Sequence, residues 1–259
     1  MVKVKPFGTN LLEDSEPVTL VNISNTDSDL EYVDFHLRVD KRFEALQKPT
    51  LKTTIFAQEV PSEAKRKFDS GKNKIGTDKD AEGMADIESA IKIFPTYFDA
   101  LSTLGKKYVT VTRYQEGYEL LIRAIDVYKR CGDCYYSLGI AFSKLDQIPA
   151  AIKAAGAAVL LEPLAPEVHM LNGIVLRLSG DLAGAETSLL KAESLFGKPN
   201  PEIHYQLSLL YNKQNKNGQA ADRLEMYLRD SKDLDKKEKD DVKALIVKLR
   251  APPKTPAKT

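Results

Sequence analysis

The stretch Cys131-Gly132-Asp133-Cys134 has the clearest potential for chemistry in this 259-residue chain. Cys-x-x-Cys can supply half of a tetrahedral zinc site. It can also cycle between dithiol and disulfide, especially at a helix N-terminus, where a thiolate is stabilised. Zinc needs two further ligands, and the chain holds no cysteine beyond these two. His169 and His204 offer no metal-ligand spacing. They occupy the same slot of consecutive sequence blocks, where a bulky packing residue is expected. The flanking residues lack the strand–helix–strand context of a dithiol oxidoreductase centre. Cys131 and Cys134 are therefore read as two small residues at a turn between blocks, with a regulatory disulfide as the alternative. Neither a metal nor a cofactor is expected.

No other constellation offers a nucleophile beside a base. Gly-x-Ser-x-Gly, Gly-x-x-x-x-Gly-Lys and His-Glu-x-x-His are all absent from the sequence. The reading is non-enzymatic. Asn22-Ile23-Ser24 is a formal glycosylation acceptor that matters only in a secretory pathway. Hydrophobic residues make up 42% and charged residues 29% of the chain, with a formal net charge of +1. That balance points to neither nucleic acid nor a membrane surface as a partner. No apolar run reaches membrane-spanning length, so no membrane insertion is expected. The opening MVKVKPFGTNLLEDSEP lacks the apolar core of a signal peptide. The expected compartment is the cytoplasm, or the periplasm or exterior if the chain is a piece of a longer precursor.

The elements that position the cysteines are set by a recurring glycine. Gly71, Gly105, Gly139 and Gly173 follow one another at intervals of 34 residues, and Ser208 comes 35 later. Twelve places beyond each stand Gly83, Gly117, Ala151, Ala185 and Ala220. Seven further stand Ala90, Ala124, Ala158 and Ala192, with Tyr227 as the exception. Three columns of small residues mean helices that approach too closely for large side chains, which offsets the helix penalty of each glycine. Within a block the apolar spacing is helical, as in Leu101, Leu104 and Tyr108, or Tyr118, Leu121, Ile125 and Tyr128. Thr96, three residues before Asp99, reads as a helix cap, and Asn200 precedes Pro201 at a first helical position. Each block is a helix–turn–helix unit that buries its apolar face only by stacking.

These blocks resemble tetratricopeptide repeats. Leu101, Leu104, Gly105, Tyr108, Gly117 and Leu121 fit that pattern, as do Tyr135, Leu138, Gly139, Phe142, Ala151, Ala158 and Pro163. The fourth block departs at Asn172. The first is the most degenerate, with Lys67, Ser70 and Lys74 in slots that are usually apolar. The fold expected is mainly α, a right-handed α-solenoid of five repeats at about 64–97, 98–131, 132–165, 166–200 and 201–232. A capping helix should follow at 233–250, with Val242, Leu245, Ile246 and Leu249 on one face, and then a proline-rich, disordered tail at 251–259. Residues 1–60 are β-rich, with VTLVNI, EYVDFHLRV and LKTTIFA as strands that either dock on the first block or end a larger β-domain. A β-rich segment ahead of such an array resembles some bacterial repeat proteins.

The resemblance also implies a site. In the family, the first helices of successive repeats line a concave groove. The matching slots here hold Lys72 and Lys106; Asp133, Tyr136, Ile140 and Lys144; Met170, Ile174 and Arg177; and Tyr205, Leu209, Asn212 and Lys213. The mixture is apolar in the middle with cations along one edge. It suits a protein or peptide partner, with Lys and Arg orienting acidic groups. Self-association is left open. The set of Lys, Asn and Arg with which some family members clamp a C-terminal carboxylate is incomplete here.

Overall fold

The computed structural model describes residues 30–35 and 53–251. Among the described residues, five helical hairpins stack in chain order. They are α1 (Ser62–Lys74) with α2 (Asp80–Ile93), α3 (Phe98–Thr110) with α4 (Tyr114–Val127), and α5 (Gly132–Lys144) with α6 (Ile148–Leu161). Next come α7 (Pro166–Ser179) with α8 (Leu182–Phe196), and α9 (Pro201–Lys213) with α10 (Asn217–Asp230). A last helix, α11 (Lys236–Arg250), packs on α10.

The small-residue columns sit where helices meet. A Cβ on Gly71 would lie 2.5 Å from the Gly83 carbonyl oxygen and 2.6 Å from Ile87 Cγ1, on the second helix of the same hairpin. A Cβ on Gly105 would stand 2.8 Å from Leu121 Cγ. Gly139 differs in its neighbour. Its added Cβ would meet Leu171 Cδ2 of the next hairpin at 2.9 Å, while the facing Ala155 leaves more room. Ala90, Ala124, Ala158 and Ala192 are fully buried, and Ser208 is buried beside them. A larger residue in any of these columns would push paired helices apart.

The turns inside the hairpins form a column that the composition conceals. Thr112, Asp146, Gly180 and Asn215 occupy equivalent places, and all have positive φ, from 58° to 94°. Asp and Asn tolerate the left-handed region and Gly favours it, whereas a β-branched threonine is strained there. Bonds from the Thr112 N–H to the Val109 carbonyl and from the Arg113 N–H to the Tyr108 carbonyl hold the turn.

The polarity of the first hairpin has a local cause. Lys67, Ser70 and Lys74 all converge on Asp86 of α2. The Ser70 hydroxyl donates to Asp86 Oδ2 at 2.8 Å, Lys74 Nζ lies 2.6 Å from the same oxygen, and Lys67 Nζ is 3.5 Å from Oδ1. The Asn172 departure is of the same kind, because its amide donates to the Ser188 hydroxyl at 2.9 Å. In both hairpins a polar residue in the first helix is matched by one at the facing place of the second.

Two strands precede the array. β1 (Leu30–Phe35) pairs antiparallel with β2 (Thr53–Gln58), with Tyr32 opposite Phe56. The expected strand VTLVNI, residues 36–39 of EYVDFHLRV and the tail 252–259 lie outside the described residues. Gln58 at the end of β2 reaches the α2–α3 turn. Its amide nitrogen donates to the Thr96 carbonyl at 2.7 Å, and its amide oxygen accepts from the Phe98 N–H at 3.0 Å. This corrects the expectation that Thr96 caps α3. The helix begins at Phe98 with no side-chain cap of its own, and Gln58 satisfies its first N–H instead. Asn200 does cap α9, accepting from the Ile203 N–H at 3.3 Å. On α11, Ile246 and Leu249 are buried and Val242 is partly so, but Leu245 is exposed at the margin of the stripe.

Gly105→Ala should destabilise by about 1–3 kcal/mol through overpacking against Leu121, despite a helix-propensity gain of about 0.5–1 kcal/mol. Gly156→Ala, at a helical glycine with nothing within 4 Å of the added methyl, should stabilise by roughly that same propensity gain. Urea melts of the two variants check the opposite signs. Asp86 yields an acid test. The Lys74 ammonium, and then the Ser70 hydroxyl, lower its carboxyl from an ordinary 3.8 to about 2. A depressed carboxyl stabilises fully above the unfolded value and loses that contribution as pH falls through the folded one. Asp86→Asn should therefore cost about 1–2 kcal/mol at pH 6. The gap from wild type should close as the pH falls from 3.8 through about 2. A gap that persists at the acid end of the urea-melt series would refute this role.

Candidate functional site

The curvature of the stack decides which helices face inward. α3 touches α5, α5 touches α7 and α7 touches α9, whereas the second helices make no comparable contact with one another. The first helices therefore lie on the side of tighter radius, and their free faces line a concave groove.

Lys72 is exposed, its ammonium 5.9 Å from the centroid of the Phe68 ring. Lys106 is half-buried and pairs with Asp133 of the next hairpin at 3.3 Å. Tyr136, Ile140, Met170, Ile174, Tyr205 and Leu209 are all half-buried, on α5, α7 and α9. Ile140 and Met170 also pack against core clusters, so they support the stack as well as lining its hollow side. Burial is the main cause raising the Tyr136 phenol, and Glu167 and Asp133 add to it. Tyr205 packs at a tilt against Tyr227, the tyrosine of the alanine column, with ring centroids 5.4 Å apart. Lys144, Asn212 and Lys213 are exposed.

Arg177 is half-buried, and burial lowers its guanidinium pKa. Its Nη2 donates to Gln206 Oε1 at 3.0 Å, and the Gln206 amide nitrogen in turn donates to Glu202 at 2.6 Å. Lys213 Nζ donates to the Arg177 carbonyl at 3.0 Å, bringing a second cation alongside. Gln206 is buried, and sequence reasoning missed it. The available signal was a glutamine one turn after Glu202 and beside the groove slot of Tyr205.

At the α4–α5 joint the structure corrects the reading of Cys131 and Cys134 as plain small residues, because their sulfurs are bonded as a disulfide. Cys131 is the N-cap of α5, and its sulfur accepts from the Cys134 N–H at 3.1 Å. Cys134 is fully buried. The intervening glycine lies close beneath the Glu162 side chain. A Cβ on Gly132 would fall 2.0 Å from Glu162 Oε1. Burial raises the Glu162 carboxyl, with Asp133 adding, while the Asp133 backbone N–H acts the other way.

His169 and His204 occupy the packing slot expected of them and are buried. His169 Nε2 lies 2.9 Å from the Pro163 carbonyl oxygen. His204 sits beside a cavity of about 330 Å³ between α8, the 197–200 turn and α10. Its Nε2 is 3.2 Å from Asp230, and its Nδ1 faces Glu193 and Arg223, which pair with each other. Burial, more than any neighbouring charge, lowers its pKa and favours the neutral ring. Among the described residues no group of His, Cys, Asp and Glu is arranged to hold a metal. No described helix is long and apolar enough to cross a membrane.

No family model matches the sequence, and no curated protein matches it. Solved structures do. MamA from residue 41 onward, from Desulfovibrio magneticus RS-1, is 15% identical with a TM-score of 0.61, over 66% of this chain and 96% of that one. YrrB, described as a TPR protein with an unusual peptide-binding site, is 19% identical with a TM-score of 0.59, over 70% of this chain and 92% of that one. TTC0263, a thermophilic TPR protein of Thermus thermophilus, is 19% identical with a TM-score of 0.53, over 72% of this chain and 98% of that one. With the stacked hairpins and the small-residue columns, these similarities give the chain the fold of the tetratricopeptide-repeat proteins.

Proposed function

We propose that the protein is a non-catalytic scaffold that holds a polypeptide, as an extended segment or a helix, in the concave groove of α3, α5, α7 and α9. One observation carries the reading. Tyr136, Ile140, Met170, Ile174, Tyr205 and Leu209 are half-buried on three successive first helices, and Lys144, Arg177 and Lys213 stand on the same helices. Half-buried aromatic and aliphatic side chains lose little entropy on binding, and the cations fix orientation. YrrB, which shares the fold, is described as having a peptide-binding site, and this supports the reading.

A second reading is favoured by the disulfide. The bond lies at the joint between the second and third hairpins, next to the Lys106–Asp133 pair that links α3 to α5. On this reading a redox change at Cys131 and Cys134 regulates the joint and, through it, the groove.

Co-purification on the tagged chain followed by mass spectrometry identifies the partner. Tyr136→Ala combined with Lys144→Glu should then weaken capture at least tenfold, the effect expected of an aromatic anchor together with a reversed charge. Retention of every partner by this variant would remove the groove as the site. For the redox reading, thiol trapping under mild oxidant should show both cysteines protected, and the reduced chain should hold its partner with altered affinity. Identical binding by a Cys131→Ser, Cys134→Ser variant under oxidant and reductant would end it.

A further inference from the structure

His204, on α9, sits in a cluster whose charges already balance. Glu193 of α8 faces the ring, as do Arg223 and Asp230 of α10. Arg223 pairs in bidentate fashion with Glu193. Arg229 of α10 does the same with Asp230, at 2.8 and 3.0 Å. Two arginines meet two carboxylates, so a neutral ring leaves no net charge. Lys198, in the turn that lines the cavity beside the ring, adds only a further cation. The neighbours also fix the tautomer. An arginine can only donate, so His204 Nδ1 accepts from Arg223 Nη1 at 3.3 Å and the neutral ring carries its proton on Nε2. Nε2 lies 3.2 Å from Asp230 Oδ2 without making a hydrogen bond. A second proton must go to Nδ1, straight against the Arg223 N–H. It cancels that bond and leaves a positive charge uncompensated around a side chain that is only 7% exposed.

We propose that His204 is a proton-triggered release for the last hairpin: mild acid charges the ring, breaks its bond to Arg223 and frees α9, α10 and α11 from α8 while the earlier hairpins stay stacked. The place suits a release. α8 meets α9 over less shared backbone than α6 meets α7, and the cavity of about 330 Å³ leaves room for the ring and the guanidinium to part. Burial is the main cause holding the docked ring below the ordinary 6.5; Glu193 and Asp230 oppose it and Arg223 reinforces it. The released hairpin therefore takes the proton first. Docking is complete above 6.5 and weakens by up to tenfold for each pH unit below it, until the docked ring also titrates. Asp86, lowered to about 2, lies outside that window. His169 contacts the Pro163 carbonyl, on the α6 side of its hairpin. Release does not depend on the groove reading. Where that reading holds, Tyr205 and Leu209 move with α9, and acid removes their end of the groove.

Hydrogen exchange of the full chain, read by mass spectrometry at about pH 7.5 and about pH 5.5 and corrected for the chemical exchange rate, resolves the array hairpin by hairpin. Wild type should lose roughly three- to tenfold of its protection in α9 and α10 at the lower pH, with α3 to α6 unchanged. His204→Asn, whose side-chain carbonyl can still accept from Arg223 but cannot be charged, should protect α9 and α10 equally at both. Arg223→Met keeps the question decidable if that variant folds poorly. It leaves two carboxylates against one arginine, so a proton on His204 restores the balance and acid should tighten α9 and α10, reversing the sign. Unchanged α9 and α10 protection in wild type, or a loss spread evenly over the array, would overturn the release. So would acid loosening of the same size in His204→Asn, or an Arg223→Met variant that still loosens in acid.

Discussion

The close approach of paired helices at columns of small side chains is the constraint on which the rest of this structure depends. Gly71, Gly105 and Gly173 press against residues of their own hairpin's second helix, and Gly139 presses against the next hairpin. With both helices of a unit drawn tightly together, the unit's apolar stripe is wide enough to be covered by its neighbour. The second column acts on the same contact from the other side, since Gly83 and Gly117 face the first helix of their own hairpins. Groove, joints and end helix all inherit their positions from this spacing. The glycines therefore act through packing, even though each one weakens its own helix.

Features repeated in register were legible in the sequence, and features made by a particular partner were not. The interval of 34 residues, the apolar spacing and the slots of His169 and His204 could all be read from residue type and position. The polar first hairpin could not. Lys67, Ser70 and Lys74 look like a decayed repeat until Asp86 is seen facing all three. Thr96 has the spacing of a cap, yet Gln58 caps α3 from outside the array, because a side chain across the fold reached the orphan N–H first. The turn column was hidden for a different reason. Thr112, Asp146, Gly180 and Asn215 share a backbone conformation without sharing a side-chain type.

The candidate site divides in the same way. Its slots follow from the repeat, so the apolar residues and the cations on the same helices were legible. What distinguishes Arg177 from Lys144 is absent from the sequence pattern, since both are cations in groove slots. The difference comes from the hydrogen bond of Arg177 to Gln206 and from the absence, among the described residues, of a carboxylate paired with it. A missing partner is a property of three-dimensional surroundings, and spacing alone does not record it.

The joints between hairpins show how one architecture is held by two kinds of force. α4 meets α5 and α6 meets α7 closely, through buried residues such as Leu138, Ala151, Leu171 and Val175. α2 meets α3, and α8 meets α9, over less shared backbone, and there polar links add to the buried apolar contacts. At the first of these joints Lys107 pairs with Asp80 at 2.8 Å, and Arg123 donates to the Pro95 carbonyl at 2.8 Å. At the last, Arg223 pairs with Glu193 while Gln214 and Lys216 both reach Glu186. The last joint also has the longer repeat interval and the cavity beside His204. In a stack where each unit touches only its neighbours, stability is set joint by joint. Buried apolar residues cross the outer joints as well, and the charged pairs there add a contribution that salt and pH weaken. The apolar residues of the groove lie on α5, α7 and α9 and so cross the third and the last joint, and Arg177 stands on the hairpin between them.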